Sequence, residues 1–225
     1  MKNISIYIHI PFCKGKCYYC DFISFPNLDK EIDRYVNYLI QEIKMYKDVL
    51  KDHKIFTVYI GGGTPSYINP KYIYKILDCI HKNYQGEAIN EITIEANPGT
   101  IDEEKLRIYK GAGINRISLG VQTLDDILLK KIGRSHTSKD FYKSIEKIRK
   151  VGFDNVSSDL IFGLPTQTLE DCEKSLREMA KLDLEHISYY SLILEENTLM
   201  FKWEKEGKIK LPDEELERNM YYMGK

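Results

Sequence analysis

Long apolar runs, a leader sequence and blocks of like charge are all missing from this sequence. No segment approaches the roughly 20 apolar residues that a membrane-spanning helix needs. The opening stretch is broken by His9 and Pro11, so it lacks the apolar core of a secretion signal. Lys+Arg 33 and Asp+Glu 34 give a formal net charge of -1 without a basic block. These absences predict no transmembrane segment, no nucleic-acid partner and a cytoplasmic location.

Cysteine is scarce, and its count of five is odd. In a reducing cytoplasm, clustered cysteines bind metal more often than they form disulfides. The hydrophobic content of 43% over 225 residues suffices for one sizeable core, and α/β barrels reach this length as one domain. We therefore expect one main domain.

Short β-branched runs alternate with segments whose apolar residues recur every three or four positions, which predicts repeated βα units around a parallel sheet. The first helix carries one apolar stripe from Leu28 to Tyr46. Gly86 and Gly152 are placed to close helices. The predicted strands lie near 4–10, 56–61, 91–96, 116–121, 155–161 and 187–193. Further helices are predicted near 70–84, 102–112, 138–151 and 168–182.

The predicted strands separate polar from apolar side chains by parity. Successive strand residues face opposite ways, and a parallel sheet covered on both faces would be apolar on both. One face therefore borders a polar space. Four polar residues share this face near the C-terminal strand ends, where barrel enzymes place their chemistry: His9, Glu95, Gln122 and Asp159. Simple pairing of each acid at a strand end is the structural alternative.

Three cysteines follow the first strand with the spacing C-x3-C-x2-C, at Cys13, Cys17 and Cys20. Thiolates this close in a loop can converge on a soft metal centre. A disulfide would leave one of the three over. A zinc site with His9 as fourth ligand is the better alternative, although structural zinc sites usually join two separated pairs. The two remaining cysteines are expected to pack as small hydrophobes.

The sequence resembles the radical S-adenosylmethionine superfamily. The cysteine spacing and the aromatic Tyr19 before the last cysteine carry the resemblance, together with YIHIPFC from Tyr7, GGGTP from Gly61, EANP from Glu95, GVQ from Gly120 and FGLP from Phe162. These strings are similar to the branch that contains oxygen-independent coproporphyrinogen oxidase and the HemW heme chaperones. The resemblance implies a partial, open TIM-like (β/α)6 barrel of parallel strands.

The resemblance also implies cofactors and their residues. A 4Fe-4S cluster on the three cysteines would leave one iron open, and S-adenosylmethionine would bind there and be cleaved to a 5′-deoxyadenosyl radical. Its contacts would come from Tyr7, Gly62, Gly63, Thr64 and Glu95. Residues matching a second S-adenosylmethionine site of the oxidase are Gln122, Arg134 and Asp159, with Tyr19 and Ile193 in the same pocket. His9 is the candidate catalytic residue, as a hydrogen-bond partner of substrate or adenosine.

Two departures from the oxidase pattern favour the chaperone. The oxidase carries an extra stretch before its first strand and a further cysteine two residues after the third ligand, where this chain has Phe22. The resemblance then implies heme as cargo, a heme-acceptor protein, and an electron donor such as flavodoxin or ferredoxin. Oxidative decarboxylation of coproporphyrinogen III is the enzymatic alternative. An RNA-modifying enzyme is disfavoured by the balanced charge.

We expect residues 1–211 to form the barrel and 212–225 to begin a C-terminal domain that continues beyond this sequence. Histidines outside the motifs could in principle bind heme iron, but surface positions are expected for His53, His81, His136 and His186.

Overall fold

The computed structural model describes residues 2–84 and 88–225. Six parallel strands form its main sheet, and a separate two-residue ladder joins two short ones. The strands are β1 (Lys2–Ile10), β2 (Phe12–Cys13), β3 (Phe25–Pro26), β4 (His53–Gly62), β5 (Glu91–Ala96), β6 (Arg116–Gln122), β7 (Asn155–Phe162) and β8 (His186–Ser191). The six long strands confirm the predicted ones, with ends shifted by a few residues.

Helices follow the strands as predicted, and several carry clear start signals. Capping boxes formed by Thr137 with Asp140 and by Thr168 with Asp171 open two of them. Gly152 ends one helix with a φ of 88°, as expected, whereas Gly86 lies outside the described residues. The helices are α1 (Ile32–Met45), α2 (Pro70–Asn83), α3 (Glu103–Gly111), α4 (Asp126–Lys131), α5 (Ser138–Val151), α6 (Leu169–Ala180), α7 (Leu199–Lys205) and α8 (Glu214–Met223).

The sheet is an open half-barrel. Its strand order is β1-β4-β5-β6-β7-β8, so β1 and β8 are its two edges within the described part of the chain. The predicted six-unit partial barrel is confirmed. The sequence analysis did not anticipate α4, α7 or the β2–β3 ladder, because elements of two to seven residues are too short to show a hydrophobic period.

The outer face of the sheet packs under the helices. One row of aligned residues crosses it through Ile8, Ile60, Ile94, Ile117 and Val156, each at most 3% exposed. Burial of such a row supplies the apolar surface that stabilises the barrel. The two cysteines outside the loop are buried in packing positions, as predicted. No helix among residues 2–84 and 88–225 is long and apolar enough to cross a membrane.

The last helix, α8, packs against the barrel edge. Its Met220 is fully buried and forms a small apolar cluster with Phe162 and Cys172. Tyr189 on β8 also donates a hydrogen bond to the Met220 carbonyl, at 3.0 Å. The predicted domain boundary at 211/212 remains a prediction.

Candidate functional site

Two polar layers occupy the inner face of the half-barrel. The lower polar layer, nearer the N-terminal strand ends, consists of Glu91, Thr93, Arg116 and Ser157. Arg116 lies between the Thr93 and Ser157 hydroxyls, at 3.4 and 3.0 Å, and 3.7 Å from the Glu91 carboxylate. This inner face is polar, as the strand parity predicts. The upper polar layer, at the opposite strand ends, borders a cavity and consists of Glu95, Gln122, Arg134, Asp159 and Tyr190.

The cysteine loop crosses the top of this cavity and is anchored at several points. The β2–β3 ladder closes its base, with Phe12 opposite Phe25. Backbone bonds join Tyr18 to Ile132 after α4 and to Met200 in α7, at 3.1 and 2.9 Å. The Tyr18 ring also meets Trp203 edge to face. These contacts fix the loop over the barrel, and all three of its cysteines line the cavity.

The glycine loop after β4 lies directly beneath the first cysteine. Its Gly63 amide donates to the Ile10 carbonyl at 2.9 Å, and the Thr64 amide donates to Phe12 at 2.8 Å. A Cβ at Gly63 would lie 2.8 Å from the Phe12 carbonyl and 2.9 Å from the Cys13 sulfur. Only glycine allows so close an approach of backbone and thiol.

Glu95 reaches the cavity from the end of β5. Its carboxylate accepts bonds from the Tyr59 hydroxyl at 2.8 Å and the Gly62 amide at 3.2 Å. Burial raises the pKa of this carboxyl, although both hydrogen bonds oppose the shift. A partly desolvated carboxylate is suited to accept hydrogen bonds from ligand hydroxyls.

Asp159 and Gln122 face the same cavity from neighbouring strands. Burial raises the pKa of Asp159 above its ordinary value. Gln122 follows a register shift at the end of β6 and has a φ of 73°, a conformation rare outside glycine. Its amide oxygen accepts a hydrogen bond from Tyr190 on β8, at 3.2 Å. The irregular strand end therefore directs this amide into the site.

Arg134 extends into the cavity from the turn after α4. Gly133, with a φ of 77°, makes the turn that brings it there. Its guanidinium donates to Asn97 Oδ1 at 2.6 Å and to the Gly120 carbonyl, and one nitrogen lies 3.6 Å from the Cys17 sulfur. Its Nε is buried without a protein partner. The structure thus places this arginine inside the site rather than on a solvated helix end.

The structure brings most residues of the sequence-derived site to one cavity. Its lining includes Cys13, Cys17, Tyr19, Cys20, Gly62, Gly63, Thr64, Glu95, Gln122, Arg134 and Asp159. Tyr7, His9 and Ile193 are not in this lining, and Ile193 is 72% exposed beyond β8. In residues 2–84 and 88–225, no group of three or more His, Cys, Asp or Glu side chains converges on a point where it could hold a single metal ion.

His9 lies beside the cavity and supports its wall. Its Nε2 is 2.8 Å from the Ile23 carbonyl, which can only accept, so this nitrogen carries the proton. Nδ1 then accepts from the Tyr7 hydroxyl at 3.0 Å. The same contacts tie the cysteine loop to β1.

Asn97 and Tyr190 line the cavity but were not singled out from the sequence. Tyr190 shares its strand parity with Ser188, which faces Asp159, and this pattern could have revealed it. Asn97 lies beyond the strand, where parity gives no signal. The expected surface position of His136 is wrong: it is 5% exposed, with Nε2 3.2 Å from the Val121 carbonyl. The residues that flank His136 in the sequence are polar, so they gave no indication that this turn is buried.

A half-barrel with three clustered cysteines above a glycine loop is typical of radical S-adenosylmethionine proteins, and comparison with known families agrees. The model of the radical SAM superfamily matches residues 7–179, so the chain belongs to that superfamily. Membership implies a 4Fe-4S cluster and S-adenosylmethionine as cofactors.

Particular relatives are similar over almost the whole chain. The heme chaperone HemW of Bacillus subtilis is 44% identical over 96% of this chain, and that of Lactococcus lactis is 41% identical over 98%. The chain spans 58% and 57% of these two relatives. Coproporphyrinogen III oxidase (HemN) from Escherichia coli, a radical SAM enzyme, superposes with a TM-score of 0.87 at 28% identity, covering 98% of this chain and 51% of its own.

Proposed function

We propose that Cys13, Cys17 and Cys20 hold the 4Fe-4S cluster and leave one iron open for S-adenosylmethionine. The donor set supports this assignment, because three thiolates are the soft ligands that such clusters take. The thiolates would each bind a different iron, so they need not converge on one point. Three ligands for four irons leave the open position.

The surroundings of the thiols fit a bound cofactor. The backbone at Gly63 lies so close to Cys13 that no side chain fits between them. Glu95 and Asp159 have raised pKa values because they are buried facing a cavity rather than paired with cations. The buried Nε of Arg134 has no partner in the protein. A polar ligand in the cavity would supply partners for both carboxyl groups and for this nitrogen.

When bound, the cluster supplies an electron and S-adenosylmethionine supplies the bond that this electron can break. The protein binds, orients and shields them. We assign the amino-acid end to the glycine loop residues Gly62, Gly63 and Thr64, and the ribose hydroxyls to Glu95. Gln122, Arg134 and Asp159 line the opposite wall, with Tyr19 beside them. Tyr7 and His9 brace the side of the cavity formed by the glycine loop, where the His9 ring lies against Gly62, while Ile193 contacts ligand only if a loop beyond β8 folds inward.

The complete protein acts, in our proposal, as a cytoplasmic heme chaperone that transfers heme to acceptor proteins. The observation that carries this is the 41–44% identity to HemW chaperones across the whole barrel. Phe22 supports it, because this side chain stands at the cavity where the oxidase pattern has a cysteine. An electron donor such as flavodoxin or ferredoxin would reduce the cluster.

Two assays on the full-length protein test the proposal. With its cluster rebuilt without oxygen, it receives coproporphyrinogen III, S-adenosylmethionine and reductant, and the tetrapyrroles are separated by chromatography. We expect no protoporphyrinogen, and in a separate titration we expect saturable heme binding followed by transfer to an apo-heme protein. Conversion of the porphyrinogen, or no heme binding, contradicts the chaperone.

The oxidase is the second candidate, and the TM-score of 0.87 to the Escherichia coli enzyme favours it. The porphyrinogen assay decides between the two, because only the oxidase releases carbon dioxide from that substrate.

A further inference from the structure

We propose that Asn97 is a positioning residue that controls hydrogen bonding to two of the cluster cysteines and thereby sets the reduction potential of the cluster. This inference rests on the proposed assignment of Cys13 and Cys17 as cluster ligands. Asn97 touches neither sulfur itself. It acts through Thr64 on one side and through Arg134 on the other.

The direction of each hydrogen bond follows from the chemistry of the donors. Arg134 has only donors, so the amide oxygen of Asn97 must face it, at 2.6 Å. The amide nitrogen then faces Thr64 and donates to its hydroxyl at 3.0 Å. Because that hydroxyl oxygen already accepts, its own hydrogen is available to the Cys13 sulfur 3.5 Å away. A thiolate can only accept, so each hydrogen bond from Asn97 through Thr64 to Cys13 has a defined direction.

The second arm ends on the other cysteine. Asn97 and the Gly120 carbonyl hold one terminal nitrogen of Arg134, and the other terminal nitrogen lies 3.6 Å from the Cys17 sulfur. One side chain thus aims two donors at two sulfurs of the same loop. Hydrogen bonds to cluster sulfurs are among the main determinants of cluster potential, because they stabilise the reduced, more negative state.

The backbone of Asn97 is held rigidly enough for this role. Its amide donates to Ser66 Oγ at 3.2 Å, and its carbonyl accepts from the Thr100 hydroxyl at 2.7 Å. Lys105 spans the same two loops, donating to the Ser66 and Thr100 carbonyls at 2.8 and 3.0 Å. These hydrogen bonds therefore join the glycine loop to the turn after β5.

Asn97→Asp tests the proposal with almost no change in volume. An aspartate still pairs with Arg134 but cannot donate, so the Thr64 hydroxyl turns toward it and away from Cys13. We expect the midpoint potential to become more negative, with about a tenfold lower ratio of reduced to oxidised cluster at a fixed potential, or about 59 mV. Redox titration of the rebuilt, full-length holoprotein, followed by electron paramagnetic resonance, gives the value.

Three variants separate this role from general damage to the loop. Thr100→Val removes one anchor of the Asn97 backbone but keeps both side-chain amide bonds, so its shift in potential should be much smaller than that of Asn97→Asp. Thr64→Val removes the hydroxyl, so it should lower the potential without adding charge. Combining it with Asn97→Ala should give less than the sum of the two single shifts, since both act on Cys13.

Iron and sulfide contents are measured first, which separates the two proposals. A wild-type protein that takes up no cluster contradicts the proposed function. An intact cluster whose potential is unchanged in both Asn97→Asp and Thr64→Val overturns the role of Asn97. An equal shift in Thr100→Val also overturns it, because the effect would then come from the turn. If Asn97→Asp fails to fold, Asn97→Ala and its double variant with Thr64→Val decide, because fully additive shifts would show that Asn97 does not act through Thr64.

Discussion

The lower and upper polar layers of the half-barrel use the same strand faces but differ in how their groups are partnered. In the lower layer, Arg116 bonds two hydroxyls and lies beside Glu91, so protein groups surround its guanidinium. In the upper layer, Asp159 has its pKa raised by burial and Arg134 keeps a buried nitrogen without a partner. In a polar interior that serves stability, the polar groups satisfy one another. In one that binds a ligand, some polar groups lack a protein partner.

Removing a proposed cluster ligand should have the largest effect. Cys20→Ala should lose almost all cluster iron, exceeding the roughly 10–100-fold loss of affinity caused by changes behind the ligands. Cys172→Ala is the matched control, because it removes a buried thiol elsewhere and should keep the iron while losing some stability. Iron analysis after anaerobic reconstitution measures both. Equal iron in the two variants would contradict the assignment of Cys20 as a cluster ligand above the upper layer.

The next prediction separates stability from binding. Arg116→Met should lower the free energy of unfolding by about 2–3 kcal/mol, because it removes two hydrogen bonds and the positive charge that faces Glu91. Arg134→Met should cost less stability but weaken S-adenosylmethionine binding. Urea unfolding and isothermal titration of the same two proteins give both quantities. A larger loss of stability in Arg134→Met, with a larger loss of binding in Arg116→Met, would contradict the roles given to the two layers.

His136 adds a dependence on pH beside the upper layer. Burial, together with the charge of Arg134, lowers its pKa to about 4. Because the folded state resists protonation, stability is complete above the ordinary pKa of about 6.5 and falls as the pH drops through the window toward 4. The loss should be on the order of 2–3 kcal/mol by pH 4.5. His136→Gln should flatten this part of the curve, and the exposed His81→Gln should leave it unchanged.

Asp159→Asn should give the smallest effect, with opposite signs for stability and binding. The raised pKa means that ionisation destabilises the fold as the pH rises through the ordinary range of a carboxyl. The variant without cofactors should therefore melt roughly 1–3 °C higher at pH 7. The gain should vanish near pH 3, where the wild-type group is protonated, and S-adenosylmethionine should bind more weakly. A lower melting temperature at pH 7 would argue that Asp159 is already satisfied by the protein.

Strand parity predicted the polar interior because it depends only on the alternation of side chains along a strand. It placed Glu95 and Asp159 on one face, and the structure has both at the cavity. Gln122 reached the cavity for a different reason, since a register shift and a positive φ interrupt the alternation there. Local irregularities of this kind leave little trace in a hydrophobic pattern.

Residues that reach the site from turns were the hardest to predict. Arg134 and Asn97 lie beyond their helix and strand, and their directions depend on Gly133 and on contacts with another loop. Those contacts join residues more than thirty positions apart, so no local rule reveals them. The family resemblance proposed Arg134 by its position outside the motif strings, while the bonding role of Asn97 required the three-dimensional arrangement.

The central claim is that S-adenosylmethionine binds at an open iron held over the upper layer. Its most direct test is the electron paramagnetic resonance spectrum of the reduced, full-length protein, recorded with and without S-adenosylmethionine after iron analysis has confirmed an intact cluster. The account predicts a clear change in the spectrum on addition, and a much smaller change in Glu95→Gln at the same concentration. An intact cluster whose spectrum does not respond to S-adenosylmethionine would contradict it.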